Sequence, residues 1–291
     1  MGIFPLQYPT IIGNDIAGEV FDVGSSVTRF KKGDRVLAHA PFMMGSLATP
    51  EAAFQQYVVC LPHLAAQIPS SVSFEQAATM PLAITTASAG LFEKENLGLK
   101  HPSLSPKPTG KTLLIWGGAS SVGCNAIQLA TSAGYEVITT ASAKNFDLMK
   151  KLGAVQVIDY TSATVVGDLV TTFKNRDLVG AFEASGKPAG VLGCAEVLLK
   201  SEGGKFIASV QRLPEGIPSG VTAKFFIATS IKDNGIAELI YGGFLPEALA
   251  QGKYIPVPEP KVVGKGIEHI QDALDAIPKG DVSAQKLVVS L

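Results

Sequence analysis

From about residue 112 to residue 209 the sequence alternates short apolar runs with helix-like stretches, and nothing else in the chain constrains its fold as much. Apolar runs at 112–116, 136–140, 155–158, 178–182 and 205–209 read as strands. Between them 121–133, 144–152, 165–173 and 189–199 read as helices. Strands apolar on both faces, separated by helices, make successive βαβ units and hence a parallel sheet covered on two sides. The expected class is therefore α/β, with a doubly wound parallel sheet at its centre.

The flanks differ. Residues 1–82 read as β-rich and irregular, with short apolar runs at 16–23 and 35–38 and turn signals such as Lys32-Gly33-Asp34. Ser73 is placed to cap a helix over 74–79, and a second helix is expected over 85–95. The stretch 98–110 holds Pro102, Pro106 and Pro108 and reads as a loop. Beyond 220 come expected helices at 236–251 and 266–276 and a last strand at 286–290. A length of 291 residues accommodates two domains. They are placed at 1–82 and 83–220, with 221–291 returning to the first.

Charge excludes some functions. With 24 basic and 25 acidic residues the net charge is -1, so no basic excess points to nucleic acid or an acidic membrane. No run approaches the roughly 20 apolar residues of a membrane span, so a soluble cytoplasmic protein is expected. Cys60, Cys124 and Cys194 stand far apart with no CxxC, so they read as buried thiols rather than a metal site or disulfide frame.

The first strand of the alternation runs into Gly117-Gly118-Ala119-Ser120-Ser121-Val122-Gly123, at the point where a helix begins. Small residues there let the backbone turn tightly, approach a pyrophosphate and aim helix N-terminal N–H groups at it. Against G-x-G-x-x-G, Gly118 and Gly123 match the outer glycines and Ser120 replaces the middle one. The imperfect match alone is weak; its position inside four successive strand–helix units strengthens it.

An NAD site wants an acid at the end of the next strand, to bind the ribose hydroxyls. Here that strand ends Thr140-Ala141-Ser142-Ala143-Lys144-Asn145, with no acid. Ser142 and Lys144 can instead donate to a 2′-phosphate at a helix start. The expected cofactor is NADPH.

Pro9-x-x-x-Gly13-x-Asp15-x-x-Gly18-x-Val20, Gly33-Asp34-Arg35-Val36, Gly117–Gly123, Lys151-Leu152-Gly153-Ala154 and Ser283-x-x-Lys286-Leu287-Val288-Val289 occur in one order along the chain. This set resembles the medium-chain dehydrogenase/reductase superfamily, on its quinone reductase/enoyl reductase side. Within it the chain is similar to the zinc-type alcohol dehydrogenase-like proteins and trans-acting enoyl reductases of filamentous fungi. The resemblance implies a GroES-like domain, a Rossmann domain and a cofactor in the cleft between them. It places Ser120, Ser121 and Val122 along the diphosphate and Ser142, Lys144, Asn145 and Tyr160 around the 2′-phosphate. Thr86 falls near the nicotinamide, and Asp281 and Val282 close over the cofactor from the C-terminal segment. Homodimers are the family expectation.

Two departures from the family stand out. Where zinc enzymes of the family carry Gly-His-Glu, this chain has Gly13-Asn14-Asp15, and their four-cysteine lobe is absent. A catalytic zinc needs three protein ligands, and His39, His63, His101 and His269 sit in no such motif. The second departure is at the start, where relatives usually carry a further segment that completes the GroES-like domain. An incomplete sheet there would leave an unpaired strand edge.

Without a metal Lewis acid, alcohol oxidation is disfavoured, whereas reduction of an activated double bond needs none. The expected activity is zinc-independent, NADPH-dependent reduction of an enoyl, enone or quinone substrate, a small molecule that is free or carrier-bound. Asn14 could hydrogen-bond near the nicotinamide or serve only its turn, and no residue is assigned as proton donor. The alternative is a nucleotide-binding protein without catalysis, acting beside a larger synthase.

Overall fold

The computed structural model describes residues 9–41, 49–279 and 282–291. The chain opens with a small antiparallel sheet. Strand β1 (Asp15–Glu19) pairs with β2 (Arg35–His39), and β2 with β3 (Ala65–Gln67). In this sheet β1 is an edge, with β2 its one neighbour among the described strands.

Helix α1 (Phe74–Ala77) begins as its sequence predicts. Ser73 Oγ accepts from Gln76 N–H and Gln76 Oε1 accepts from Ser73 N–H, a reciprocal cap that ties off two otherwise unpartnered donors. Helix α2 (Pro81–Phe92) starts four residues before the expected position. Proline suits the first turn because it has no N–H to leave unpaired. Asp15 Oδ1 then accepts from Leu82 N–H at 2.7 Å, so a residue of β1 caps this helix from across the fold.

The alternating region forms β4 (Lys111–Trp116), α3 (Ser121–Ser132), β5 (Glu136–Ala141), α4 (Phe146–Lys151), β6 (Ala154–Asp159), α5 (Val165–Phe173), β7 (Asp177–Glu183), α6 (Pro188–Lys200) and β8 (Phe206–Ser209). A further strand, β9 (Thr222–Phe225), completes a six-stranded parallel sheet of order β6-β5-β4-β7-β8-β9. Leu113, Leu114 and Ile115 of the central strand are fully buried. Each contributes about 2 kcal/mol of transfer free energy relative to exposure. The expected helix over 144–152 divides into a 3₁₀ turn (Ala143–Asn145) and α4, because Ser142 is extended and starts the tighter turn first.

Beyond the sheet, the expected helix over 236–251 is a π-helical stretch (Glu238–Phe244) followed by α7 (Leu245–Ala250). Gly242 and Gly243 weaken regular α-helix there, and Pro246 supplies no N–H to an i→i−4 bond. The chain ends with β10 (Glu259–Lys265), a 3₁₀ turn (Ile267–His269), α8 (Ile270–Ala276) and β11 (Gln285–Ser290), and β10 pairs with β11 in parallel. An apolar trough of about 1330 Å³ lies between β1, α8 and β11, lined by Phe21, Tyr57, Ile267, Ile277 and Leu291 among others. No helix among the described residues is long and apolar enough to cross a membrane.

Candidate dinucleotide site

The glycine turn lies at the C-terminal end of β4, at the centre of the sheet. Gly117 has φ +87°, a conformation open to glycine at little cost. The turn is fixed by the neighbouring strand. Gly117 N–H donates to Thr140 Oγ1 at 3.0 Å and Gly118 N–H to Thr140 O at 2.9 Å. Thr139 Oγ1 donates to Ile115 O at 2.7 Å.

Side chains would not fit here. A Cβ on Gly118 would lie 2.3 Å from Thr139 Oγ1, and one on Gly123 would lie 2.3 Å from the carbonyl oxygen of Gly117. Gly118 and Gly123 therefore let β5 and the start of α3 close onto the turn.

Ser120 is the N-cap of α3, and its Oγ accepts from Gly123 N–H at 2.9 Å. The first N–H groups of a helix have no intrahelical partner. With that of Gly123 taken by Ser120, those of the half-buried Ser121 and Val122 remain to meet an anion at the positive end of the helix. This cradle fits a dinucleotide diphosphate.

At the end of β5, Ser142 begins the 3₁₀ turn that carries Lys144 and Asn145. Asn145 Nδ2 donates to Ser142 Oγ at 3.2 Å, which leaves the hydroxyl hydrogen available to an anion. Asn145 Nδ2 also reaches Ser283 Oγ at 3.3 Å. The C-terminal segment thus passes beside this turn, with the half-buried Val282 next in sequence. Asp281 lies outside the described residues. Lys144 is exposed, and Tyr160 follows β6 with 47% of its surface exposed.

One acid stands a strand away, Asp159, opposite Ala141 in the β5–β6 register. Its Oδ1 accepts from Thr161 N–H and Oγ1, and these bonds hold its carboxyl below the usual range. Thr86 lies on α2, half-buried, with its hydroxyl donating to Leu82 O at 2.7 Å. The structure therefore brings together Gly118, Ser120, Ser121, Val122 and Gly123 as one cradle. Ser142, Lys144 and Asn145 form a second group beside it, while Tyr160 and Thr86 stand on separate elements.

Sequence reasoning missed Glu183, the last residue of β7. It is wholly buried and accepts from Ser185 N–H at 2.8 Å, from Ser185 Oγ, and from Ser209 Oγ at 3.2 Å. Burial pushes its carboxyl up, and these hydrogen bonds oppose the shift. The one available signal was an acid directly after the apolar run 178–182.

Zinc ligands are a separate question. The histidines are scattered. His39 is buried in β2, His63 lies in a 3₁₀ turn, His101 packs edge-on to Phe92, and His269 Nδ1 lies 2.9 Å from Asp272. Asp15, which follows Asn14, is ion-paired to Lys286 at 2.7 Å. Among the described residues no three of His, Cys, Asp and Glu cluster as a metal site. Among the described residues the donors do not fit a catalytic zinc. Cys124 and Cys194 are buried and Cys60 is half-buried.

Residues 2–70 match the family model of the alcohol dehydrogenase GroES-like domain, and residues 121–228 match that of the zinc-binding dehydrogenases. The chain is 50% identical to the dehydrogenase azaJ of Aspergillus niger, over 99% of this chain and 84% of that protein. It is 39% identical to the trans-enoyl reductase himH of Aspergillus japonicus, over 99% of this chain and 83% of that protein. Its fold matches a quinone oxidoreductase of Pseudomonas syringae pv. Tomato with a TM-score of 0.73 at 23% identity, covering 100% of this chain and 85% of the other.

Proposed function

The chain belongs to the medium-chain dehydrogenase/reductase family, and from that membership we propose that this oxidoreductase uses NADPH, without zinc, to reduce an activated carbon–carbon double bond or a quinone. The observation that carries the cofactor choice is the end of β5. There Ser142, Lys144 and Asn145 occupy the place where a carboxylate would select NADH. The trans-enoyl reductase relative supports a double-bond substrate. Zinc independence is supported by Asn14 and by the dispersal of the histidines.

In this reading Ser121 and Val122 N–H bind the diphosphate. Ser142 and Lys144 hold the 2′-phosphate, Thr86 borders the nicotinamide, and the segment from Val282 covers the cofactor. NADPH bound there supplies the hydride to the acceptor carbon. The protein's part is orientation and electrostatics.

The test is a fluorescence titration of the purified chain with NADPH and NADH, followed by a panel of enones, quinones and enoyl thioesters with and without chelator. Tight NADPH binding, weak NADH binding and chelator-insensitive turnover support the proposal. Chelator-sensitive oxidation of simple alcohols overturns it. NADPH binding with no turnover across the panel identifies a non-catalytic nucleotide-binding protein or synthase partner instead.

A further inference from the structure

In a doubly wound sheet the ligand crevice opens where successive strands are added on opposite sides, outside their C-terminal ends. Here β5 and β6 extend from one side of β4, and β7, β8 and β9 from the other, so the crevice lies between β4 and β7. Glu183 is the last residue of β7 and pairs in register with Trp116, the last residue of β4. Its side chain is therefore at the floor of the crevice, fully buried.

Among the described residues no cation forms an ion pair with Glu183. A buried carboxyl without a counter-charge is costly to keep, so what it holds in place matters. Ser185 gives it both a backbone N–H and a hydroxyl. The backbone of Ser185 in turn abuts the glycine turn, since a Cβ on Gly117 would lie 2.7 Å from Ser185 N and 2.8 Å from its Cα. From the other side, the Oγ of Ser209 at the end of β8 approaches Glu183 Oε2. Helix α6 closes on the same group, because a Cβ on Gly190 would lie 2.6 Å from Glu183 Oε1.

We infer that Glu183 is a positioning residue for the dinucleotide crevice, fixing the C-terminal ends of β4, β7 and β8 relative to one another through Ser185 and Ser209. The inference rests on reading the crevice as a dinucleotide site.

Ser209 Oγ lies within reach of both Gln211 O at 2.9 Å and Glu183 Oε2 at 3.2 Å, so its one proton is shared between two acceptors. Burial pushes the Glu183 carboxyl up, and the bonds from Ser185 and Ser209 oppose that shift. From α6 the titratable group facing Glu183 is the buried thiol of Cys194, while β4 presents Trp116 and β8 the hydroxyl of Ser209.

The experiment compares NADPH and NADH titrations, each with a thermal melt, for wild type, Glu183→Gln, Glu183→Leu and Ser185→Ala. The amide of Glu183→Gln accepts from Ser185 and donates to Ser209, so affinity should stay within about threefold of wild type. Glu183→Leu keeps the bulk but loses the bonds, and should weaken binding by about tenfold or more with little change in melting. Ser185→Ala removes one link without adding volume and should weaken binding by about fivefold or more even if Glu183→Leu fails to fold. Glu183→Leu or Ser185→Ala binding like wild type overturns the inference, as does Glu183→Gln binding as weakly as Glu183→Leu. A wild-type chain that binds neither dinucleotide overturns the crevice reading, and this inference with it.

Discussion

Lys286 Nζ lies 2.7 Å from Asp15 Oδ2, so an ion pair between residues 271 positions apart ties β11 to β1. The same carboxylate caps α2 through Leu82 N–H, and Lys286 also donates to Thr79 O. The pair is largely sheltered, with side chains 24% and 17% exposed. Breaking such a pair leaves one charge partly buried and uncompensated, at a cost of about 2 kcal/mol after discounting for that exposure. Lys286→Met should lower urea-unfolding stability by about that amount. Asp15→Ala should cost about 1 kcal/mol more, because the helix cap is lost as well.

Gly123→Ala should damage both stability and binding. The new methyl meets the Gly117 carbonyl, which belongs to the backbone and cannot rotate aside. Overpacking of this kind costs about 1–3 kcal/mol, readable as a lower melting temperature. The NADPH titration should weaken in parallel, since relief of the clash opens the cradle around Ser121 and Val122.

Cofactor choice should respond to a single carboxylate. Ser142→Asp places a negative charge where the 2′-phosphate is expected and offers an acceptor to the ribose hydroxyls. NADPH affinity should fall by about tenfold, or 1.4 kcal/mol, relative to NADH. Paired titrations of both dinucleotides check this, and an unchanged ratio would remove Ser142 from the 2′-phosphate site.

Stability should fall in mild acid because of His39. Burial lowers its pKa from 6.5 to about 4; Asp15 acts against the shift and Lys286 with it. The folded state therefore binds this proton less well than the unfolded chain. Its contribution is complete above pH 6.5 and is lost as the pH falls toward 4, about 3 kcal/mol in all. Subtracting the unfolding profile of His39→Leu from that of wild type should isolate this loss, and parallel profiles for the two proteins would refute it.

The central sheet was legible because parallel strands buried on both faces read as continuous apolar runs, as at Leu113–Ile115. Strand β9 was missed because Thr222 and Lys224 interrupt its apolar pattern at the sheet's half-buried edge. β10, largely exposed, gave no periodic signal either. The early start of α2 rests on Asp15, far away in sequence, and no local pattern could report it. The site divides the same way. The glycine turn and Ser142 are local chemistry at a strand end and could be read directly. The role of Glu183 exists only because β7 lies beside β4, a matter of strand order.

The threonine pair behind the glycine turn has a thermodynamic consequence. Thr139 and Thr140 fix the turn through hydrogen bonds that need no ligand. The loop thus loses its conformational freedom when the chain folds, and little remains to be lost when a dinucleotide arrives. The diphosphate contacts proposed there would be pre-organised, so their free energy would go into affinity and not be consumed in ordering the loop.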